Sequence, residues 1–498
     1  VRLFRRVERF GPTRKEYQVT KFTCDVRQQG SPLPHVWEHT VGSGHARLAL
    51  RADWQAQLRR CHTELGIEHT RFHGILSDDM GTLTKQRGKL IYSFFNADQI
   101  FDFLISIGMR PFVELSFMPS TLSTGNDTVF FYKGNVTPPQ DYGQWATLIR
   151  KLVQHWVDRY GLAEVRRWSF EVWNEPNLDS FWEGSQEDYF KLYRYTVSAI
   201  KEIDPMLRVG GPATANNSWI ADFVHFCERE GLPADFISTH HYPTDAFGEP
   251  DDDTEAQLAA AKRGILRQRA MDTRRHAGNR PLYYTEWNTS SNPFFHRHDE
   301  PYAAAFAMKC WLDVTDIVQG YSYWTFSDIF EENYFSSVPF HGGFGMLTIH
   351  GVAKPIYRAA ELLHRAGHEK LVVDGLHNTV DCWASRDENR IQLLCTNHAL
   401  PQHPIEREHV QITLLGAPPP QQAYLERIDE NHANPRRLWE EWGKPDYLSP
   451  LQVNELHDAS RLVVESLQWR AGPEGTICEV DLPPHAVAAL TLEFSSRP

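Results

Sequence analysis

WSFEVWNEP (residues 168–176) reads as a short apolar strand that breaks off in a polar turn, Asn174-Glu175-Pro176. Just before it, residues 145–157 carry a helical pattern. The same unit of helix, Gly stop and strand recurs in both directions. Upstream, Trp54, Leu58, Cys61 and Leu65 share one face of a helix over 51–65, and Gly66 offers a left-handed stop without a Cβ penalty. A strand over 69–76 follows. Asn96 is placed to cap the next helix, with Ile100, Phe101, Leu104 and Ile107 on its apolar face and Gly108 at its end. RPFVELSF (110–117) is the strand after that. Downstream, 208–212, ADFISTHHY (234–242), PLYYTEWN (281–288) and GYSYWTFSD (320–328) read as strands, and 36–42 makes an eighth. Eight strands alternating with helices predict a (β/α)8 TIM barrel. A doubly wound sheet would want a Gly-rich phosphate loop after its first strand, and none is present.

Near residue 356 the rhythm changes. After a helical pattern at 355–366 come period-2 runs at 390–395, 409–415, 422–428 and 486–494, separated by turn material such as Asp387-Glu388-Asn389 and Pro418-Pro419-Pro420. The expected organisation is a barrel over 21–355 and an appended C-terminal all-β sandwich over 356–498. Residues 1–20 are too short to fold alone and are expected to pair with the sandwich.

Composition narrows the function. Of the 498 residues, 41% are apolar and 12% aromatic, too many for a disordered chain. The net charge of −13 lacks the basic footprint of a nucleic-acid binder. No apolar run reaches the ~18 residues of a membrane span. Seven cysteines are scattered, without a CxxC pair, and point to free thiols in a reducing, cytoplasmic compartment. The opening VRLFRR is no signal peptide, although the lack of an initiator Met leaves a removed leader open. Asn-x-Ser/Thr occurs at Asn126, Asn135, Asn216 and Asn288, too common a match to establish secretion.

In such a barrel, reactive groups sit at the C-terminal ends of the strands. Strand four ends in Asn174-Glu175, strand six in His240-His241-Tyr242, and strand seven in Thr285-Glu286-Trp287-Asn288. Strand two ends in His73, and strand eight carries Trp324 ahead of Asp328 and Glu331-Glu332. One acid after a strand is commonly a loop residue or a helix cap. Two of them on facing parts of the barrel mouth, each flanked by Trp and Asn, suit glycoside hydrolysis, which needs one protonated and one ionised carboxyl across a single bond. Trp173, Trp182, Trp287 and Trp324 lie close enough in sequence to pack against sugar rings, with plain core packing expected for at least one. The esterase elbow G-x-S-x-G and the metalloprotease H-E-x-x-H are both absent.

These segments resemble glycoside hydrolase family 39, and within it the bacterial β-xylosidases. The likeness runs nearly end to end through VGSGHARLAL (41–50), RFHGILSDDMG (71–81), RPFVELSFMPS (110–120), FYKGNVTPPQDY (131–142), FEVWNEPNL (170–178), YTEWNTS (284–290), YWTFSDIFEE (323–332) and HGGFG (341–345). The resemblance implies a retaining double displacement, with Glu175 as general acid/base and Glu286 as nucleophile. It also implies that Asn174 binds the sugar 2-hydroxyl, that His240 and Tyr242 form the family's His-x-Tyr, and that His73, Trp324, Glu331 and Glu332 line the subsite of the non-reducing sugar. The expected activity is release of xylose from the non-reducing end of β-1,4-xylooligosaccharides. The alternatives are a glycosidase of other sugar specificity (β-glucosidase, β-galactosidase, α-L-arabinosidase, less favoured α-L-iduronidase) and a non-catalytic carbohydrate-binding protein. No cofactor or metal is implied. The expected partner is a small carbohydrate rather than nucleic acid or membrane, and a homo-oligomer is compatible with the resemblance.

Overall fold

The computed structural model describes residues 19–244, 253–333 and 335–498. Eight parallel strands close into a barrel in chain order: Thr40–His45, His69–His73, Arg110–Leu115, Ser169–Val172, Arg208–Thr214, Phe236–His241, Leu282–Trp287 and Gly320–Tyr323, the last returning to the first by pairing Tyr323 with Val41. The first strand departs from its expected place. Residues 36–39 form a turn, and the strand begins at Thr40. Val36 and Trp37 are apolar because the turn buries them in the core. The strand itself runs through Gly42-Ser43-Gly44, a poor β-former by composition. Neighbouring rings dictate those glycines: a Cβ on Gly42 would lie 2.4 Å from the Trp324 indole, and one on Gly44 2.9 Å from the Phe330 ring.

The helices follow their local signals with one exception. Ala52–Leu65 buries Trp54, Leu58, Cys61 and Leu65 and stops at Gly66, at φ 69°. Tyr142–Tyr160 opens at Asp141, whose carboxylate accepts from the Gly143 and Gln144 amides. Asn96, by contrast, caps nothing. It lies inside Phe95–Ser106, and its Nδ2 donates to the Met80 carbonyl at 3.0 Å, tying the helix to the loop after the second strand.

Inside the barrel, Phe112, Phe236 and Tyr283 pack edge to face at 5.5–5.7 Å and form an apolar layer. Side chains two positions further along the strands share the same face. There the layer becomes charged: Glu114 follows Phe112, and Arg71 and Glu171 are as deeply buried. The seventh strand adds a bulge. Tyr284 pairs with Thr239 and Glu286 with His240, leaving Thr285 unpaired between them. Adjacent residues of a regular strand face opposite sides, whereas a bulge lets both Thr285 and Glu286 face the interior.

Beyond helix Pro355–His364 lie a seven-stranded and a four-stranded sheet enclosing a second core. Alternation along the strands sends Leu393 and Cys395 into that core and Leu394 into the barrel's. The period-2 pattern does not reveal Val380–Asp387, Gln468–Gly472 or Gly475–Leu482, where polar residues interrupt it. Thr20–Asp25 pairs in parallel with Glu408–Leu415, so the N-terminal strand of these sheets runs into residues 21–25, which the sequence assigns to the barrel. The rest of the expected N-terminal segment, residues 1–18, lies outside the described residues.

Helix Pro301–Asp313 is buried almost throughout, because the barrel covers one side and the large sheet the other, with Tyr302 and Phe306 against His398. A helical pair, Pro435–Glu441 and Pro450–Ala459, packs Trp439 and Leu456 onto Phe340 and Val352 of the loop after the eighth barrel strand. The seven cysteines are free, with Cys395 Sγ 3.4 Å from Cys382 Sγ. Among the described residues, no helix is long and apolar enough to cross a membrane.

Candidate active site

Past Val172 the backbone turns into the left-handed region at Trp173 (φ 71°) and again at Glu175 (φ 44°). Each such residue costs about 1–3 kcal/mol and persists where the surroundings hold it. Here the Glu175 amide donates to the Ala213 carbonyl of the next strand at 2.8 Å. The Glu175 carboxyl is thereby placed at the barrel mouth, its Oε1 2.8 Å from His240 Nδ1. Glu286 arrives from the bulged seventh strand. Its Oε1 accepts from Arg71 Nη1 at 2.7 Å and its Oε2 from the Tyr242 hydroxyl at 3.0 Å. Oxygens of the two carboxyls and a His240 nitrogen lie within 4.8 Å of one another. Their lone pairs could in principle ligate a cation. In this arrangement Glu175 and His240 bond each other, while the Arg71 guanidinium already neutralises Glu286.

The two carboxyls have unlike surroundings. Burial raises both above the usual carboxylate range. For Glu175 the negative charge of Glu286 raises it further, so its acid form is favoured. Glu286 is relieved by Arg71 and His73, so it is the member that ionises first. Arg71 spans the floor of the site, bonding Glu114, Glu171, Asn174 and Glu286 at 2.5–2.9 Å. Burial alone would lower its affinity for the proton; the three carboxylates reverse that. His73 lies under the same balance. Burial opposes its charge, but Glu114 at 2.7 Å, with Glu332 and Glu286 further out, lifts it to about 10, an imidazolium at neutral pH.

A cavity of about 310 Å³ opens over this floor. Of the candidate site residues, Asn174, Glu175, Glu286, His73, Tyr242, Trp324 and Glu332 all line it. His240 lies just beneath, fully buried and bonded to Glu175. Glu331 does not join them: its Oε1 bonds His45 Nδ1 at 2.9 Å, and that ring stacks on Tyr132. Neighbouring residues of the loop thus aim at different targets, and only Glu332 reaches the cavity. Of the four tryptophans, only Trp324 lines it, its ring 4.7 Å from His73. Trp173, Trp182 and Trp287 are core residues.

The sequence reading missed Arg71, Glu114 and Glu171. Their signal was a charge in the body of a strand whose fold buries both faces, where apolar residues are the rule. It also missed the loop residues Phe130 and Phe344 in the lining. Phe344 belongs to HGGFG, which is pinned by a buried cation: Lys354 Nζ lies 2.6 Å from both Asp299 and Asp328, and those carboxylates accept from the Gly342 and Gly345 amides.

Gly42→Ala is expected to push the Trp324 indole into the cavity. Overpacking of about 1–3 kcal/mol would lower kcat/KM roughly 10- to 100-fold, measured beside a thermal melt. Wild-type kinetics would show that the ring yields without loss.

Paired buried carboxyls at the ends of strands four and seven of a (β/α)8 barrel, under a pocket of mixed polar and aromatic lining, define a glycoside hydrolase. The chain belongs to glycosyl hydrolases family 39, whose family model matches residues 20–474. It is 47% identical over 482 residues to a β-xylosidase of Caldicellulosiruptor saccharolyticus, spanning 96% of this chain and 99% of that protein. To a β-xylosidase of Geobacillus stearothermophilus it is 35% identical over 461 residues, 89% of each chain. The crystal structure of a monomeric β-xylosidase from Caulobacter crescentus superposes with a TM-score of 0.85 at 32% identity, covering 96% of this chain and 100% of that one.

Proposed function

We propose that this enzyme is a retaining, exo-acting β-xylosidase that releases xylose from the non-reducing end of β-1,4-xylooligosaccharides. The observation that carries the reading is the Glu175–Glu286 pair, close together and unequal in protonation tendency: burial raises both, and Glu175 further than Glu286. Retaining enzymes hold their carboxyls about 5–5.5 Å apart, and inverting ones about 6.5–9.5 Å apart to admit a water. Glu286 attacks C1 as Glu175 gives its proton to the leaving oxygen. Water, deprotonated by Glu175, then displaces Glu286, and two inversions restore the β configuration. Tyr242 orients the nucleophile through its hydroxyl, and Asn174, fixed by Arg71, faces the sugar 2-hydroxyl.

The sugar assignment is supported by the two β-xylosidase relatives and by a cavity at the small end of the range for ligand pockets. Such a volume suits a terminal sugar better than the middle of a chain. Proton NMR during hydrolysis of an aryl β-xyloside is expected to show β-xylose first, with the α anomer appearing only by mutarotation; α-xylose first would overturn retention. Alongside it, aryl β-xyloside is expected to be cleaved faster than β-glucoside or α-L-arabinoside, and a linear xylooligosaccharide is expected to shorten by one xylose at a time.

A further inference from the structure

His240 touches Glu175 through Nδ1, but its other nitrogen leads into the barrel. His240 Nε2 lies 3.1 Å from Thr285 Oγ1, and the Thr285 hydroxyl donates to Glu171 Oε1 at 2.8 Å. Glu171 is ion-paired through Oε2 with Arg71 Nε at 2.5 Å, so it can only accept. A hydroxyl has one proton to give. With that proton committed to Glu171, Thr285 can meet His240 only as an acceptor, and Nε2 must carry the hydrogen. His240 Nδ1 then presents a lone pair to Glu175, and the proton between them resides on Glu175 Oε1. The direction of the whole chain is set at Glu171.

We propose that Thr285 and Glu171 are positioning residues that lock His240 in its Nε2–H tautomer and so hold Glu175 in the acid form needed for protonating the leaving group. The inference rests on the assignment of Glu175 as acid/base. The bulge brings the two functions onto one side: continuing from Tyr283, a regular strand would face Thr285 inward and Glu286 outward, and the irregularity lets both face the interior. The other groups facing the pair bear on the same proton. Burial first, then Arg71, His73 and the neighbouring His241, disfavour charge on His240; burial, Glu286 and Glu332 disfavour it on Glu175 and outweigh the opposing pull of His73 and Arg71. Tyr242 is spent on Glu286.

Thr285→Val keeps the side-chain shape and removes the hydroxyl. His240 is then free to flip to Nδ1–H and donate to the Glu175 carboxylate, which favours the ionised form. The alkaline limb of kcat/KM against pH is expected to move down by about one unit, the size of one hydrogen bond in this balance. The acid limb, set by Glu286, should stay. The loss should be largest with an alkyl or sugar leaving group and smallest with dinitrophenyl xyloside. Thr285→Ser is expected to restore the wild-type profile, which a variant that simply packs badly would not do. An alkaline limb unmoved in a folded Thr285→Val protein overturns the relay. Failure of the underlying assignment looks different: azide then fails to rescue Glu175→Ala, whatever Thr285 does.

Discussion

Glu286→Gln is expected to lower kcat/KM by about 10⁵-fold or more, the scale on which removing a covalent nucleophile acts. The substitution isolates the nucleophile from its scaffold. A glutamine carbonyl can still accept from Arg71 or Tyr242, so the floor of the site keeps most of its bonds. It cannot form an ester with C1, because an amide oxygen is a poor nucleophile and no carboxylate remains to leave in the second step. The variant removes one negative charge from a floor where Arg71 answers Glu114, Glu171 and Glu286. A loss of folding is excluded by comparing thermal melts, and Glu286→Ala, run in parallel, removes any contribution from slow deamidation. Steady-state rates with aryl β-xylosides decide the matter, and more than one per cent residual activity in a deamidation-free preparation would sink the assignment.

Glu175→Ala is expected to behave differently with each leaving group. General acid catalysis contributes about 10²–10⁴-fold, and that factor is lost where the leaving oxygen needs a proton, as in xylobiose. Dinitrophenolate departs unaided, so with its xyloside the first step survives and the glycosyl-enzyme accumulates for want of a base. Azide needs no deprotonation and fits the space vacated by the side chain; it should restore turnover and yield β-xylosyl azide. The pH profile supplies the sign. Burial and the Glu286 charge raise the Glu175 carboxyl, so the wild-type enzyme keeps its acid form to higher pH than an exposed glutamate would, and activity falls as that proton is lost. In Glu175→Ala this alkaline limb should vanish. An unchanged limb, or an α-xylosyl azide product, contradicts the role.

How far these residues could be seen in advance depended on what kind of signal each carried. Strands such as ADFISTHHY and PLYYTEWN were legible because an apolar run ending in acids and histidines has few other uses in an alternating α/β chain. Thr40–His45 was misplaced by four residues because its glycines answer to Trp324 and Phe330, nearly 300 positions away, and long-range packing leaves no local trace. Glu175 and Glu286 stood at strand ends, where chemistry is looked for. Arg71, Glu114 and Glu171 sat in strand bodies, where a charge reads as an anomaly rather than as a floor. Glu331 and Glu332 could not be separated by pattern, since a loop offers no fixed periodicity to say which of two neighbours turns inward. Thr285 and Glu286 share the interior face through a bulge, a one-residue irregularity of register that composition does not announce.

Because helix Pro301–Asp313 is buried from both sides, the molecule is not modular. A domain that could be lifted off would leave a polar face behind. Removing the sandwich here would instead strip Tyr302, Phe306 and the neighbouring alanines of their cover and expose them to water. Barrel and sandwich therefore share one helix: the sheets keep a core of their own, but Tyr302 and Phe306 are covered by His398, and Tyr302 also by His485. The appended sheets are less a passenger on the enzyme than the second half of its foundation, and recombining this barrel with a foreign accessory module would require redesigning the shared helix first.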